Sequence, residues 1–105
     1  MTTLAAFHAL AEPKRHAIVE LLRDGERSVS ELVDGVGLSQ PAVSKHLRVL
    51  KDAGLVHARV DAQRRLYRLR PEPLAELDDW LEPYRRLWNR HLDRLEDHLD
   101  RRRTP

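Results

Sequence analysis

The chain of 105 residues contains no cysteine, which excludes disulfide bonds and every metal site built on thiolates. It also lacks an apolar run long enough to cross a bilayer. Residues 1–5 have neither the basic region nor the apolar stretch of a secretory signal peptide. We therefore predict a cytoplasmic protein without a membrane partner, folded as a single domain over residues 1–105.

Catalytic patterns are lacking as well. The four glycines do not form a phosphate-binding loop, and the scattered serines and histidines suggest no nucleophile with a positioned base. We therefore do not expect an enzyme, and no cofactor is predicted.

The basic residues, by contrast, are concentrated in one stretch. Residues 39–70 hold eight Lys or Arg and two Asp, whereas residues 1–38 and 71–105 each carry a net charge of −2. A localised basic stretch in a chain with a net charge of only +2 is typical of a nucleic-acid binder.

Short elements with clear boundaries fill the first half of the chain. Apolar spacing predicts one helix over residues 4–10 and a second that begins at Pro13, followed by a brief extended segment at residues 27–29. Ser30 is expected to cap a third helix, and Ser39 a fourth that runs to about Ala53. Two helices joined by a tight glycine-containing turn predict a helix-turn-helix over residues 30–54.

A basic β-hairpin is predicted directly after this motif, in residues 55–70. Apolar and polar residues alternate over residues 56–61 and 65–69, with a short link at Ala62 and Gln63 whose turn type stays open. Such a hairpin beside a recognition helix is a wing. Pro71 and Pro73 end it, and a long helix is expected over residues 72–101, kinked or restarted at Pro83. The predicted fold class is mainly α with a β-hairpin.

The fourth helix has a buried side and a polar, basic side. On a helical wheel Val43, Leu47 and Leu50 cluster together and are expected in the core. The start of such a helix enters the major groove of double-stranded DNA, where Gln, Ser, Lys and Arg bond base edges or phosphates. The candidate DNA-binding residues, including those of the wing, are Ser39, Gln40, Ser44, Lys45, His46, Arg48, Lys51, Arg59, Arg64 and Arg65.

The last helix carries more apolar surface than a small monomer leaves exposed. Its apolar residues recur at steps of three and four, which predicts a two-fold homodimer. The candidate interface residues of this helix are Leu81, Tyr84, Trp88, Leu92, Leu95 and Leu99. The alternative reading of Trp80, Tyr84 and Trp88 is an aromatic ligand pocket, against which we favour a dimer core.

Four segments together resemble the ArsR/SmtB family of winged helix-turn-helix repressors. They are residues 9–15, residues 39–47, residues 50–56 and residues 65–69, and the likeness extends over roughly residues 4–70. The resemblance implies a dimeric repressor, usually autoregulatory, whose first and last helices form the interface. It thereby adds Leu4 and Phe7 to the candidate interface residues.

The chain departs from the family's metal-sensing patterns. Members that sense thiophilic ions carry cysteines at the start of the first helix of the motif, where this chain has Ser28 and Ser30. Zinc-sensing members carry a spaced Asp and His set on the last helix, and the spacing of His91 and His98 does not match it. No metal site is therefore predicted, and release from DNA would depend on a small organic ligand, a protein partner or the concentration of the regulator itself.

Three alternatives stay open. A zinc-responsive repressor would use His91 and His98 across a dimer, since imidazole is an adequate zinc ligand. A protein-interaction module would use the last helix to bind a different partner and would not primarily bind DNA. Non-specific chromosome coating would show no preference between promoter and random DNA.

Overall fold

The structure is a computed structural model that describes residues 2–103, with the side chains of residues 4–102. The described residues form five helices and a small antiparallel sheet, which confirms the predicted fold class. In chain order the elements are α1 (Thr2–Ala11), α2 (Pro13–Leu22), β1 (Arg27–Ser28), α3 (Val29–Val36), α4 (Gln40–Asp52), β2 (Val56–Asp61), β3 (Arg64–Leu69) and α5 (Pro71–Arg103).

The start of α3 differs from the prediction. Ser28, not Ser30, is the N-cap, and its hydroxyl oxygen accepts a hydrogen bond of 3.1 Å from the backbone N–H of Glu31. The Glu31 carboxylate in turn accepts a bond of 3.0 Å from the backbone N–H of Ser28. This reciprocal pair satisfies two N–H groups that a helix leaves free. The helix-turn-helix therefore begins two residues earlier than the expected cap, and Ser30 lies exposed inside the helix.

The turn and the second helix of the motif follow the prediction. Gly37 ends α3 in the left-handed region, with φ of 70°, where a side chain would be strained. Ser39 caps α4 by accepting a hydrogen bond of 3.3 Å from the backbone N–H of Ala42. Val43, Leu47 and Leu50 are fully buried, which confirms the predicted inner side of α4.

The sheet has three strands in the order β1-β3-β2, one more than the hairpin that the sequence predicts. The extended segment before α3 supplies the third, since Arg27 and Ser28 pair with Tyr67 and Leu66 of β3. In the hairpin, β2 and β3 are linked by the two residues Ala62 and Gln63, and Ala62 has a positive φ of 58°.

One core joins the helices to the sheet. Its buried members run along the chain from α1 to the beginning of α5, and Leu77 is the last of them. They are Ala6, Ala9, Ile18, Val19, Leu22, Leu32, Val43, Leu47, Leu50, Leu55, Val56, Tyr67 and Leu77.

The last helix is longer than predicted and projects from this body. It starts at Pro71 and contains Pro83 without interruption, so it does not restart there. Beside Pro83 the Arg85 guanidinium donates to the Asp78 carboxylate and carbonyl and to the Glu82 carboxylate, at 2.6 to 3.1 Å. The radius of gyration is 19.2 Å, well above the roughly 13 Å of a compact chain of this length.

Over the described part of the chain, we find no helix that combines the length and the apolarity needed to cross a bilayer.

Candidate nucleic-acid interface

A polar groove lies between the exposed side of α4 and the wing. It has a volume of about 560 Å³ and is open to solvent. The α4 side chains that line it are Gln40, Ser44, Arg48, Lys51 and Asp52, and the opposite side is formed by Arg65 and Tyr67 of β3 and by Val29 at the start of α3. Three of these groups are cationic and one is anionic, so the groove, which we call the α4–wing groove, carries net positive charge.

Strand geometry decides which wing arginine faces this groove. Successive side chains of a strand point to opposite faces of the sheet. Arg65 therefore shares a face with Tyr67, which is buried against the core beside α4. Arg64 points to the other face and lies 3.6 Å from the Asp61 carboxylate in an exposed ion pair. The two neighbouring arginines, predicted together as wing contacts, thus occupy different sides of the hairpin.

Arg59 lies on the same face as Arg64, away from the α4–wing groove. Its Nε and Nη2 each donate a hydrogen bond of 2.8 Å to the Glu26 carboxylate. These bonds hold the pKa of Glu26 below its ordinary value, and the carboxylate raises the pKa of Arg59. The structure therefore gives Arg59 a partner within the chain, and its predicted contact with DNA is not part of the groove.

Two further α4 residues lie outside the groove lining. Lys45 is exposed, whereas the His46 side chain is only 22% exposed and its Nδ1 lies 3.8 Å from the Glu12 carboxylate. Glu12 caps α2 by accepting a bond of 2.8 Å from the backbone N–H of Arg15, which lowers the pKa of Glu12. His46 thus faces the start of α2.

Ser39, the residue that caps α4, is exposed at the N-terminus of this helix. The Ser39 hydroxyl is engaged by the backbone of Ala42, yet it remains at the solvent-facing start of α4 next to Gln40. Backbone N–H groups at a helix start carry partial positive charge, which favours a phosphate there.

A second surface, the α5 stripe, consists of the exposed apolar side chains of α5 from Leu81 onward. Trp88 is 60% exposed and Leu92 is 42% exposed. Its members are Leu81, Tyr84, Leu87, Trp88, Leu92, Leu95 and Leu99. All but Leu87 were predicted; Leu87 follows the same helical spacing at the edge of the stripe and was missed.

Aromatic contacts tie α1 to the stripe. The rings of Phe7 and Trp80 meet edge to face with centroids 5.1 Å apart, and Trp80 lies 4.7 Å from Tyr84. Leu4, at the other end of the predicted interface, is 70% exposed. Trp80 is thus in ring contact with α1 and Tyr84 with Trp80, while Trp88 lies further along, beside His91.

Metal ligands are not brought together within the described residues. No group of three His, Asp or Glu side chains in this part of the chain has the spacing of a metal site.

Comparison with known proteins identifies the family. The model of the arsR family of bacterial regulatory proteins matches residues 12–58, which include both helices of the motif and the start of the wing. The chain is 47% identical over 87 residues to the HTH-type transcriptional regulator Rv2034 of Mycobacterium tuberculosis, covering 83% of this chain and 78% of that protein.

Two further proteins, one compared by sequence and one by structure, are also similar to this chain. The HTH-type transcriptional repressor SmtB of Mycobacterium tuberculosis is 48% identical over 69 residues, which cover 66% of this chain and 51% of SmtB. This chain thus matches only about half of SmtB. A crystal structure of the ArsR family transcriptional regulator RHA00566 superposes with a TM-score of 0.76 at 29% identity, over 85% of this chain and 98% of that one.

Proposed function

The chain belongs to the ArsR family of bacterial regulatory proteins, and we propose that it represses transcription by binding an inverted-repeat operator as a homodimer. Its family consists of transcriptional regulators and not of enzymes. In this proposal the domain comprises residues 1–105, with the α4–wing groove as the DNA-binding surface and the α5 stripe as the subunit interface.

The observation that carries the proposal is the α4–wing groove. Gln40 and Ser44 lie toward the start of α4, and the cationic Arg48, Lys51 and Arg65 line the same groove. A helix start placed in the major groove brings short polar side chains to base edges, while flanking cations neutralise phosphates. Gln40 and Ser44 are therefore assigned to base reading, with Lys45 exposed beside them, and Arg65 to phosphate or minor-groove contact.

The α5 stripe supports the dimeric part of the proposal. Exposed apolar side chains repeat along α5 from Leu81 to Leu99, where the chain's own core does not cover them. A two-fold axis would bring the same stripe of a second copy against the first. A two-fold dimer presents two identical reading heads, so the operator is expected to be an imperfect inverted repeat.

Binding titrations at several salt concentrations test the assignment of DNA contacts, with operator DNA selected from a random pool by the wild-type protein. Gln40→Ala should lower affinity for the selected DNA by roughly 1–3 kcal/mol and affect scrambled DNA little. Arg65→Ala should weaken both DNAs alike and reduce the salt slope by about one. Arg86→Ala removes the same charge from exposed α5, away from the groove, and serves as the control.

The result that contradicts the assignment is an equal loss on both DNAs for Gln40→Ala. Failure of the wild-type protein to enrich any DNA would overturn the proposed function itself and would favour the interaction-module alternative. Equal affinity for selected and scrambled DNA would instead support non-specific coating.

The proposed regulator has no metal trigger. Soft ions prefer thiolates, which this chain lacks. His91 and His98 are separated by seven residues, or about 10 Å along a helix, so one chain cannot chelate one ion through both. Release from DNA is therefore assigned to a small organic ligand, a protein partner or the concentration of the regulator.

A further inference from the structure

The pair of Glu26 and Arg59 spans the full width of the sheet. Glu26 directly precedes the edge strand β1, and Arg59 lies on the other edge strand, β2. The central strand β3 runs between them, and its Leu66 is paired with Ser28 on one side and Arg59 on the other. The two hydrogen bonds of 2.8 Å therefore connect the edges of the sheet across β3.

The residue beneath this connection is buried outside the main core. Leu66 is only 5% exposed, yet it is not among the residues of the core cluster, whereas its neighbour Tyr67 is. Side chains directly opposite each other in an antiparallel pair lie on the same face, so Leu66 and Arg59 share a face. The ion pair thus lies on the outer face of the sheet, over Leu66, and Tyr67 packs inward on the opposite face.

The base of the wing is packed into the core through Val56 and Tyr67, whereas its tip is not. Of the described residues outside the hairpin, only the two of β1 pair with it, and they do so along β3. Toward its tip, residues 60–65 are all exposed. A connection near the middle of the hairpin is therefore placed where it limits the swing of the tip, which carries Arg65.

We propose that the Glu26–Arg59 ion pair fixes the wing in the orientation that presents Arg65 to DNA, so that Glu26 is a positioning residue for DNA binding. In this role Arg59 holds the wing in place and does not contact DNA, because its Nε and Nη2 both donate hydrogen bonds to the Glu26 carboxylate. Bidentate bonding to a carboxylate fixes the plane of the guanidinium, which a single exposed charge pair does not do. This inference rests on the proposed function.

The Glu26→Gln variant separates this role from a direct contact. It keeps the shape of the side chain and removes its charge. If the pair positions the wing, the variant should bind selected operator DNA about fivefold more weakly, the scale of an exposed but well-aligned ion pair. If Arg59 instead contacts phosphate, loss of the competing carboxylate should strengthen binding. The matched control is Glu20→Gln, which removes an exposed charge from α2, away from the sheet.

A double-mutant cycle distinguishes positioning from a general loss of stability. On the Arg65→Ala background the wing contact is already absent, so Glu26→Gln should cause almost no additional loss of affinity. Thermal unfolding, followed by circular dichroism, confirms that each variant is folded at the assay temperature. Arg59→Gln provides a second route and should match Glu26→Gln in affinity.

The outcomes are distinct. Tighter or unchanged binding by Glu26→Gln, or a full fivefold loss that persists on the Arg65→Ala background, would overturn the positioning role. A markedly larger loss for Arg59→Gln than for Glu26→Gln would show that Arg59 contacts DNA itself. Absence of any wild-type DNA binding would count against the proposed function, and would leave the affinities of the variants equal and negligible.

Discussion

Trp88 offers the sharpest test of the α5 stripe as a subunit interface. An aromatic side chain of this size presents roughly 200 Å², and 60% of Trp88 is exposed in one chain. Covering that surface removes roughly 120 Å² from water, which is worth about 3 kcal/mol at about 25 cal/mol per Å². A two-fold dimer contains the residue twice, so Trp88→Ser should weaken association by up to about 6 kcal/mol, or roughly four orders of magnitude.

Sedimentation equilibrium over a range of micromolar concentrations measures this effect. Wild type is expected as a dimer and Trp88→Ser as a monomer with unchanged secondary structure, because Trp88 lies outside the core that folds the body. Asp97→Ala is the control, since nine residues further along a helix the side chain points to the opposite side. A variant that dimerises as tightly as wild type, or a wild-type monomer at these concentrations, would refute the proposed interface.

Three further predictions concern capping, pH and metals. Ser28→Ala should lower the free energy of unfolding by about 1 kcal/mol in urea titrations, while Ser30→Ala should change it little, because only Ser28 caps α3. Hydrogen bonds from the backbone and hydroxyl of Ser28 hold the pKa of Glu31 below its ordinary value of 4.5. The stabilisation that the ionised Glu31 gives to the fold is therefore complete above pH 4.5 and is lost as the pH falls through the lowered pKa. Glu31→Gln should reduce this loss of stability in acid. Micromolar zinc, cadmium or arsenite should leave operator affinity unchanged relative to a chelator control, and a tenfold loss would restore the metal-sensor alternative.

Local signals account for what the sequence predicts correctly. The inner side of α4 follows from the spacing of Val43, Leu47 and Leu50, and the cap follows from a serine directly before a proline-containing first turn. The alternation of apolar and polar residues predicts the two wing strands, because the whole pattern of each strand lies within about six consecutive residues. In each case the deciding residues lie within a few positions of one another.

The misplaced cap of α3 had a signal in the sequence. Both Ser28 and Ser30 are suitable caps by residue type, and the glutamate at position 31 distinguishes them. It lies three residues after Ser28, which is the spacing of the reciprocal capping box that the structure shows. The start of α5 one residue earlier than predicted similarly follows from Pro71, since proline suits the first turn of a helix as well as the end of a strand.

Pairings between distant residues could not be read from the sequence. Strand β1 is only two residues long, and its partner residues in β3 lie about 40 positions further along the chain. The Glu26–Arg59 pair joins residues 33 positions apart. Arg59 was for this reason predicted from its charge alone, since charge within a basic stretch gives no information about which face of the wing a side chain occupies.

The two proposed surfaces are joined by α1, and this connection limits the geometry of any dimer. Phe7 of α1 is in ring contact with Trp80 of α5, and the buried Ala6 and Ala9 of α1 belong to the same core as Val43 and Leu47 of α4. A second copy seated on α5 is therefore connected to α4 through the packed contacts of α1. The angle at which the two α5 stripes cross then fixes the distance between the two α4 helices. For both α4 helices to bind one operator, this distance must be about one turn of DNA, roughly 34 Å. An effector that shifts this crossing would weaken operator binding without touching α4.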